Sequence, residues 1–291
     1  MTKVSLLILS WNTKNLLRDC LASLRLSKFQ PEIIVVDNAS TDSSLEMVQK
    51  EFPEVKLIKN KINLGFAKGN NQAFRQAQGE VIMLLNSDTL VQKGAIEKLA
   101  TSLMNQSEEI AAVSPLLLNE DGSVQRDPCY LKFPSPLFAI FYYNKFFKNL
   151  ALRLFPFVLF SALKFEKPLQ VDQLPAAAMM IRKKVWEKVG GFDENFPIYF
   201  NDVDLCFRLK KLGYKLMLIP DAKIIHFGRK SIEPVIRKEG IEKFYFLNFS
   251  SLFLFCEKNY SVWKTWLIKI IVFFHLFSTL KFNLIKQLIK R

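Results

Sequence analysis

Residues 32–44 read EIIVVDNASTDSS, and the order of features in this stretch decides the fold class. The apolar run that ends at Asp37 predicts a buried β-strand, and Ser43 is placed to cap a helix that runs to about Glu51. The pattern repeats, with strands predicted at residues 4–10, 55–58 and 81–85 and helices at 16–26, 66–78 and 94–106, the second ended by Gly79. Strands that alternate with helices in this way predict βαβ units and a mostly parallel sheet.

The alternation continues in the second half of the chain. A fifth strand begins at AAVSP (111–115), and the turn sequence NEDGS (119–123) predicts a hairpin after it. From Gln173 onward we expect a strand of small residues, a helix over 201–213 and two separate strands, YKLMLIP (214–220) and AKIIHF (222–227). The 291 residues, half of them hydrophobic, suffice for one large α/β domain or two small ones.

Positive charge and aromatic residues are concentrated in the second half. The net charge of +14 divides into −1 for residues 1–128 and +15 for residues 129–291, and 23 of the 27 Phe residues lie in the second part. Nucleic-acid-binding proteins are basic but rarely this apolar, and their recognition motifs are missing, so we expect no nucleic-acid partner. A composition both basic and aromatic is typical of proteins that lie on anionic membranes.

Polar clusters follow three of the predicted strands, at Ser10–Trp11–Asn12, Asp37–Asn38 and Asn86–Ser87–Asp88. Ligands of open α/β sheets bind beyond the carboxyl ends of the strands, so the clusters predict one binding edge. The Asp88 carboxylate suits a divalent cation such as Mg²⁺ or Mn²⁺, and Asp37–Asn38 suits a ribose or base. The sequence has neither GxGxxG after its first strand nor GxxxxGK[ST], which argues against a dinucleotide dehydrogenase and a P-loop enzyme.

Two further motifs leave alternatives open. Asn201–Asp202–Val203–Asp204 opens a predicted helix. Its carboxylates either complement the helix macrodipole or include a general base, whose pKa the dipole is expected to keep low. His226, after an apolar strand, is either a structural histidine or a group that shares a metal ion with Asp88.

Seven segments carry a more specific signal. In chain order they read ILSWNTKNLLRDCLASL (8–24), EIIVVDNASTDSS (32–44), NKINLGFAKGNNQAF (60–74), VIMLLNSDT (81–89), LLLNEDGSVQ (116–125), AAMMIRKKVWEKVGGFDENFPIYFNDVDLCFRLKKLGYK (177–215) and IIHFGRKS (224–231). Together they resemble the family 2 inverting glycosyltransferases, and specifically the rhamnosyltransferase-like branch. The resemblance covers most of residues 4–232 and implies a GT-A type nucleotide-diphospho-sugar transferase fold.

The resemblance also implies which residues bind the nucleotide-sugar donor. Arg229 would meet the diphosphate, and Asn86 stands where the family motif has its first Asp. The other positions implied to line the nucleoside or lie close to the donor are Asn12, Asp37, Asn38, Asn63 and Asn70.

The resemblance assigns the chemistry to three further residues. Asp88 would bind the metal ion, Mg²⁺ or Mn²⁺, and His226 matches a histidine that contacts the metal or the diphosphate. Asp202 matches the catalytic base, which takes the proton of an acceptor hydroxyl as that hydroxyl attacks the anomeric carbon. Asn201 stands beside it where the family usually has Glu.

The implied activity is transfer of a sugar from dTDP-rhamnose or a UDP-hexose, with inversion, to a glycan or polyprenyl-linked acceptor in cell-envelope polysaccharide synthesis. The alternative is a non-catalytic module that binds a nucleotide-sugar or glycan, because Asn86 and Asn201 replace more acidic residues. The Asp88, Asp202 and His226 positions favour the enzyme.

We expect a catalytic domain over residues 1–240, interrupted by a basic aromatic insertion at about 129–170, and a helical extension over 241–291. The insertion either packs on the core or faces a membrane or lipid substrate. In the extension, a polar stripe opposite Trp, Phe and Leu predicts one interfacial helix on an anionic membrane. The polar stripe is Lys264, His275, Thr279, Lys286 and Lys290, and the apolar one Trp266, Phe273, Phe277, Leu280, Leu284 and Leu288. The alternatives are packing on the catalytic domain or on a partner, including a homodimer.

The expected location is the cytoplasm, peripheral on the inner face of the plasma membrane. The N-terminal apolar run is short and is interpreted as the first strand, not as a signal peptide. The uncharged runs fall short of a spanning helix. The four cysteines form no CxxC pair, which favours reduced thiols.

Overall fold

The computed structural model describes residues 3–25, 29–125, 132–136, 139, 165–196, 198–228 and 240–290. Its strands are β1 (Val4–Ser10), β2 (Glu32–Asp37), β3 (Lys56–Lys59), β4 (Val81–Asn86), β5 (Thr89–Val91), β6 (Ile110–Leu118), β7 (Leu169–Val171), β8 (Ala178–Arg182) and β9 (Lys215–His226). Its helices are α1 (Lys14–Arg25), α2 (Ser44–Glu51), α3 (Gly65–Phe74), α4 (Ala95–Asn105), α5 (Lys183–Val189), α6 (Asn201–Lys211), α7 (Ile241–Asn259), α8 (Val262–Ser278) and α9 (Phe282–Ile289).

The strands form one mixed sheet in the order β3-β2-β1-β4-β8-β6-β9-β5, with β7 beside β9. Strands β1 to β4 run parallel to one another, and β9 runs parallel to β6. Strand β8 is antiparallel to both β4 and β6, and β5 and β7 are antiparallel to β9. The prediction of a mostly parallel α/β sheet is confirmed, and six strands end at one edge of the sheet.

Helices cover both faces of the sheet and bury its apolar side chains. Helices α1, α2 and α4 pack on one face through residues such as Leu21, Val48 and Leu99. Helices α3, α5 and α6 pack on the other face through residues such as Ala73 and Trp186. The core therefore fixes the sheet firmly, while the loops at the strand ends are left to form a site.

Several local predictions were wrong. The two strands predicted at 214–220 and 222–227 are one strand, β9 (Lys215–His226), whose register with β6 shifts between Pro115 and Leu116. Helix α3 ends at Phe74 and not at Gly79. Gly79 lies where the chain passes close to β1, because a Cβ there would lie 2.7 Å from the backbone nitrogen of Ser5. Ser43 makes no capping hydrogen bond through its side chain. The hairpin after β6 is confirmed by the bridge between Leu118 and Val124.

The C-terminal helices build a core of their own against helix α6. Phe255 of α7 contacts the rings of Phe200 and Phe207, with ring centroids 5.9 and 5.3 Å apart. Helices α8 and α9 pack on α7 through buried side chains that include Ile268 and Leu288. The extension is therefore attached directly to the helix that begins with Asn201–Asp202.

The single C-terminal helix predicted from the sequence is two helices. The chain leaves α8 at Thr279, Leu280 adopts a φ of 58°, and α9 begins at Phe282. Leu284 and Leu288, expected on a membrane-facing stripe, are buried in the helical core instead. No helix in the described ranges is long and apolar enough to cross a bilayer.

Some sequence predictions concern residues that the structure does not describe. Arg229, Cys129 and most of the insertion at about 129–170 lie outside the described residues. The other three cysteines, Cys20, Cys206 and Cys256, are buried free thiols.

Candidate active site

Asp88 and His226 meet at the edge of the sheet although 138 positions separate them. Strand β5 pairs antiparallel with β9 so that Thr89 lies opposite His226, which brings the preceding Asp88 beside it. The imidazole Nε2 lies 3.4 Å from Asp88 Oδ1. The Asp88 side chain is fully buried, and neither carboxylate oxygen accepts a hydrogen bond from the described residues. Buried carboxylates without donors are rare in proteins and indicate a missing partner.

Gln125 fixes the orientation of His226. Its Oε1 lies 2.8 Å from Nδ1 of the imidazole, and its Nε2 donates to the main-chain carbonyl of His226 at 3.2 Å. A carboxamide oxygen only accepts, so Nδ1 carries a proton and Nε2 is the ring nitrogen that is turned toward Asp88 Oδ1. A proton on Nε2 or a cation between the two groups would join them.

The donor set at Asp88 and His226 fits a divalent cation, which would need further ligands beyond these two side chains. One carboxylate and one imidazole held by a second residue are familiar ligands of Mn²⁺, and the carboxylate also suits Mg²⁺. Groups of three or more His, Cys, Asp or Glu side chains able to hold a metal are absent from the described residues.

Asp37 and Asn12 lie at the ends of β2 and β1 and are joined through Ser40. The Ser40 backbone N–H donates to Asp37 Oδ2 at 3.0 Å, and the Asn12 N–H donates to the Ser40 hydroxyl at 2.9 Å. Asp37 Oδ1 is buried without a hydrogen bond from the described residues. Asn12 has a φ of 55°, in the left-handed region that Asn adopts more readily than other residues with a side chain. This corner of the sheet therefore offers a free carboxylate oxygen to a ligand.

Asn38 positions a loop and has little left to offer a nucleoside directly. It is 1% exposed, its Oδ1 accepts from Asn60 Nδ2 and the Leu64 N–H, and its Nδ2 donates to Asn63 Oδ1 at 2.8 Å. Asn70 is 3% exposed and donates to the carbonyl of Phe66 within α3. Asn38 therefore holds the loop that carries Asn63, and its contact with a donor stays a prediction.

The ends of β1 and β4 are linked by hydroxyl groups. Thr13 Oγ1 donates to Ser87 Oγ at 3.0 Å and lies 2.9 Å from Ser10 Oγ. Asn86 ends β4, and its backbone N–H donates to the carbonyl of Ala177 at 2.9 Å. The polar clusters predicted from the sequence therefore do gather at one edge.

Asp202 lies at the same edge, at the start of α6. The backbone N–H of Ala176 donates to its Oδ2 at 3.3 Å, and the N–H of Val203 donates to its Oδ1 at 2.9 Å. Ala177, the neighbour of Ala176, contacts Asn86, so two consecutive residues connect Asp202 to the end of β4. Phe200, just before the helix, has a φ of 66°, which places this turn under strain.

The expectation of a low pKa at Asp202 was wrong. Burial by the surrounding protein raises the pKa of this carboxyl above its ordinary value, although the N–H groups of Ala176 and Val203 oppose the shift. Loss of hydration outweighs the helix N-terminus here because desolvation penalises the charged form. A carboxylate with a raised pKa holds a proton more readily, which suits a general base better than a strongly stabilised ion does.

Asp204, the neighbouring carboxylate, is structural. Its Oδ2 accepts from Arg208 Nε at 2.7 Å, and the same guanidinium donates to the carbonyls of Val189 and Gly191 at 2.8 Å each. Asp204 is 2% exposed. The pair therefore ties α6 to the Gly190–Gly191 turn, and Asp204 is not available as a base.

The sequence profile of "Glycosyl transferase family 2" matches residues 5–190, well over half of the chain. The chain belongs to this family. It is 27% identical over 230 residues to "N-acetylglucosaminyl-diphospho-decaprenol L-rhamnosyltransferase" of Mycobacterium tuberculosis, covering 71% of this chain and 70% of that protein. It is 27% identical over 205 residues to "dTDP-rhamnosyl transferase RfbF" of Shigella flexneri, covering 69% of this chain and 62% of that protein. The resemblance to the rhamnosyltransferase-like branch is confirmed.

Solved structures confirm the GT-A fold of this glycosyltransferase. The mannosyltransferase PcManGT from Pyrobaculum calidifontis, in complex with GDP-Man and Mn²⁺, aligns with a TM-score of 0.58 at 17% identity, covering 89% of this chain and 65% of that one. The 1–349 fragment of S. aureus TarS with UDP-GlcNAc aligns with a TM-score of 0.54 at 17% identity, covering 77% and 58%. The chain therefore spans less than two thirds of either solved chain.

Proposed function

We propose that this glycosyltransferase moves a sugar from dTDP-rhamnose or a UDP-hexose to a hydroxyl of a lipid-linked or polysaccharide acceptor, with inversion, in cell-envelope polysaccharide synthesis. The observation that carries the proposal is the Asp202 carboxylate, which is held at the binding edge by two backbone N–H groups and has a raised pKa. Among the described residues, the pKa of Asp202 is shifted by burial and by backbone N–H groups and not by a cation, so the carboxylate is available to take a proton.

The reaction is a single displacement. The acceptor oxygen attacks the anomeric carbon, the bond from that carbon to the diphosphate oxygen breaks, and the nucleoside diphosphate leaves. Asp202 takes the proton of the acceptor hydroxyl during the attack. One displacement at one carbon inverts its configuration, so a single carboxylate at the acceptor side is sufficient.

Asp88 and His226 would hold a divalent cation at the diphosphate end of the donor. When bound, Mg²⁺ or Mn²⁺ would neutralise the negative charge that develops on the leaving group. Gln125 keeps Nε2 of His226 directed at the site. Mn²⁺ in the complexes of PcManGT and of GalNAc-T7 supports a divalent cation in this fold. Arg229 is proposed to meet the diphosphate.

The nucleoside end of the donor lies along the ends of β1 and β2. Asp37 offers the buried Oδ1 that accepts no hydrogen bond from the described residues, which suits a ribose hydroxyl or a base N–H. Asn12 and Asn63 border this position, and Asn38 holds the Asn63 loop beside it. Asn70 and Asn86 complete the proposed donor site.

The acceptor is proposed to be a sugar on a polyprenyl diphosphate or a growing glycan. The mycobacterial relative is named for a decaprenol-linked acceptor, and the Shigella relative is named for a dTDP-rhamnosyl donor. We place the enzyme in the cytoplasm on the inner face of the plasma membrane, where such acceptors and donors meet. The domain division at about residue 240 is part of this proposal.

A donor screen tests the proposal. The full chain is incubated with dTDP-rhamnose and several UDP-hexoses, with Mg²⁺ or Mn²⁺, and release of the nucleoside diphosphate is measured with and without a polyprenyl-linked acceptor. We expect one donor to be consumed, faster with acceptor. Tight donor binding without transfer or hydrolysis would favour the non-catalytic binding module, for which Asn86 and Asn201 in place of acidic residues are the supporting observation.

A further inference from the structure

Helix α8 has two apolar stripes on opposite sides. Thr265, Ile268, Val272 and Leu276 are spaced by three and four residues and are buried against α7 and α9. A second stripe with the same kind of spacing faces outward: Trp263 is 69% exposed, Trp266 58%, Ile270 58%, Phe274 68% and Phe277 62%. Isolated exposed apolar residues are ordinary, but a continuous row of this kind marks an interaction surface.

The exposed row continues beyond α8. Leu280 is 75% exposed, Phe282 45% and Ile289 69%. The rings of Phe277 and Phe282 contact each other, with their centroids 5.5 Å apart. We call the outward side chains of Val262, Trp263, Trp266, Leu267, Ile270, Phe274, Phe277, Leu280, Phe282 and Ile289 the apolar face. It contains most of the large hydrophobic side chains that are exposed among the described residues.

The charge around the apolar face identifies its partner. Residues 260–291 contain no Asp or Glu, but they contain Lys264, Lys269, Lys281, Lys286, Lys290 and Arg291. At 100° per residue, Lys264 and Lys269 lie on either side of the exposed row of α8. Long basic side chains beside an apolar stripe place their charges at lipid headgroups while the apolar side chains enter the bilayer.

The same charges argue against a second copy of the chain. A symmetric dimer through the apolar face would bring two sets of these lysines together; residues 260–291 supply no carboxylate, and the ion pair of Lys269 with Glu257 of α7, at 2.7 Å, neutralises one lysine of each set. The opposite stripe of α8 is already packed in protein, so the helix lies along the bilayer surface.

We propose that the apolar face docks the enzyme on an anionic lipid bilayer. This rests on the proposed function only in so far as the acceptor is lipid-linked. Helix α7, on which α8 packs, contacts Phe200 and Phe207 beside Asp202, so the docked surface and the catalytic helix form one packed unit. The bilayer then holds the active site at a fixed distance from acceptors that extend from the membrane.

Vesicle flotation with the full chain tests the proposal. Vesicles of phosphatidylcholine alone are compared with vesicles containing about 30% phosphatidylglycerol, at low and high NaCl. We expect binding to the anionic vesicles to be about tenfold stronger, and to weaken at high salt without disappearing, because the apolar contribution is not screened.

Two variants separate the apolar face from other exposed residues. Trp263→Ser with Phe274→Ser changes only side chains more than half exposed, so we expect an unchanged melting temperature and a loss of vesicle binding of about tenfold or more. Leu212→Ser, at a 47% exposed residue after α6, is the matched control and should bind as the wild type does. Lys286→Gln with Lys290→Gln should reduce binding to anionic vesicles only.

The outcome is independent of the donor screen. Release of nucleoside diphosphate in water should be equal in the wild type and in the Trp263→Ser, Phe274→Ser variant. A chain that floats with anionic vesicles but consumes no donor would contradict the proposed function and leave the docking intact. No flotation at low salt, or equal flotation of this variant and the wild type, would overturn the docking proposal, as would a wild-type dimer that the variant converts to a monomer.

Discussion

At the scale of single residues, Asp202 shows how burial adjusts a carboxylate for proton transfer. Its pKa is raised by desolvation. A base works only when it is ionised, so transfer should fall as the pH drops through this raised pKa. We expect the acid limb of the pH profile of kcat/KM to lie above about pH 4, near which an ordinary Asp titrates. An acid limb at or below that pH would contradict the assignment, and the pH profile of donor binding is the control.

Gln125 gives a second prediction at the residue scale. Gln125→Leu removes the acceptor that holds Nδ1 of His226, so the imidazole should lose its orientation and the cation its ligand. We expect the Mn²⁺ concentration needed for half-maximal activity to rise about 10- to 100-fold. Gln125→Glu, which keeps the acceptor, should restore most of the affinity. A variant with lower kcat but the same Mn²⁺ dependence would show that Gln125 is only structural.

The site residues differ in how far sequence could reveal them. The positions of Asp37 and Asp88 at the binding edge were predictable because each follows an apolar run that must be a strand. Gln125 was missed because its partner His226 lies 101 positions away and only the pairing of β6 with β9 brings the two together. The pKa of Asp202 was predicted in the wrong direction because burial depends on packing around α6.

At the scale of elements, the Asp204–Arg208 pair holds α6 in place. Arg208 is bound to Asp204 and to the carbonyls of Val189 and Gly191. Arg208→Leu leaves the Asp204 carboxylate buried without its cation, and we expect the free energy of unfolding to fall by about 3–5 kcal/mol. Denaturant unfolding measures this change.

A surface pair provides the matched control for Arg208. Arg18 and Glu51 are 37% and 38% exposed, and Arg18→Leu should cost less than about 1 kcal/mol. If Arg208→Leu and Arg18→Leu lowered the free energy of unfolding equally, the Asp204–Arg208 pair would stabilise the fold no more than a surface ion pair does. Retention of transfer by the folded fraction of Asp204→Asn would agree with its structural role.

Element boundaries were less predictable than element types. Strands β1, β2 and β4 were recognisable because they are largely buried on both faces, so their sequences are nearly continuous apolar runs. The short β5, only Thr89–Val91, gave no such signal and forms because β9 offers it a pairing edge. The break between α8 and α9 was missed since the sequence there, STLK, contains neither Gly nor Pro.

At the scale of the molecule, the C-terminal helices form a core of their own that is packed against α6. Deletion of residues 261–291 would remove five side chains that are at most 5% exposed: Ile268, Val272, Leu276, Leu284 and Leu288. At about 1.5–3 kcal/mol each, their loss approaches the whole stability of a typical domain, roughly 5–15 kcal/mol. We expect the chain without residues 261–291 to aggregate. Removal of residues 290–291 alone should leave folding and stability unchanged. Size-exclusion chromatography decides, and a monodisperse truncated protein with the wild-type melting temperature would contradict this packing.

The central claim is that the chain is a glycosyltransferase in which Asp202 accepts the acceptor proton. The most direct measurement is transfer of labelled sugar from dTDP-rhamnose and UDP-hexoses to an N-acetylglucosaminyl-diphospho-polyprenol, by the wild type and by Asp202→Asn. We predict transfer by the wild type with inverted configuration at the anomeric carbon. In the variant we predict a rate about 10²- to 10⁴-fold lower, with donor binding nearly unchanged. Transfer by Asp202→Asn at the wild-type rate would contradict the account.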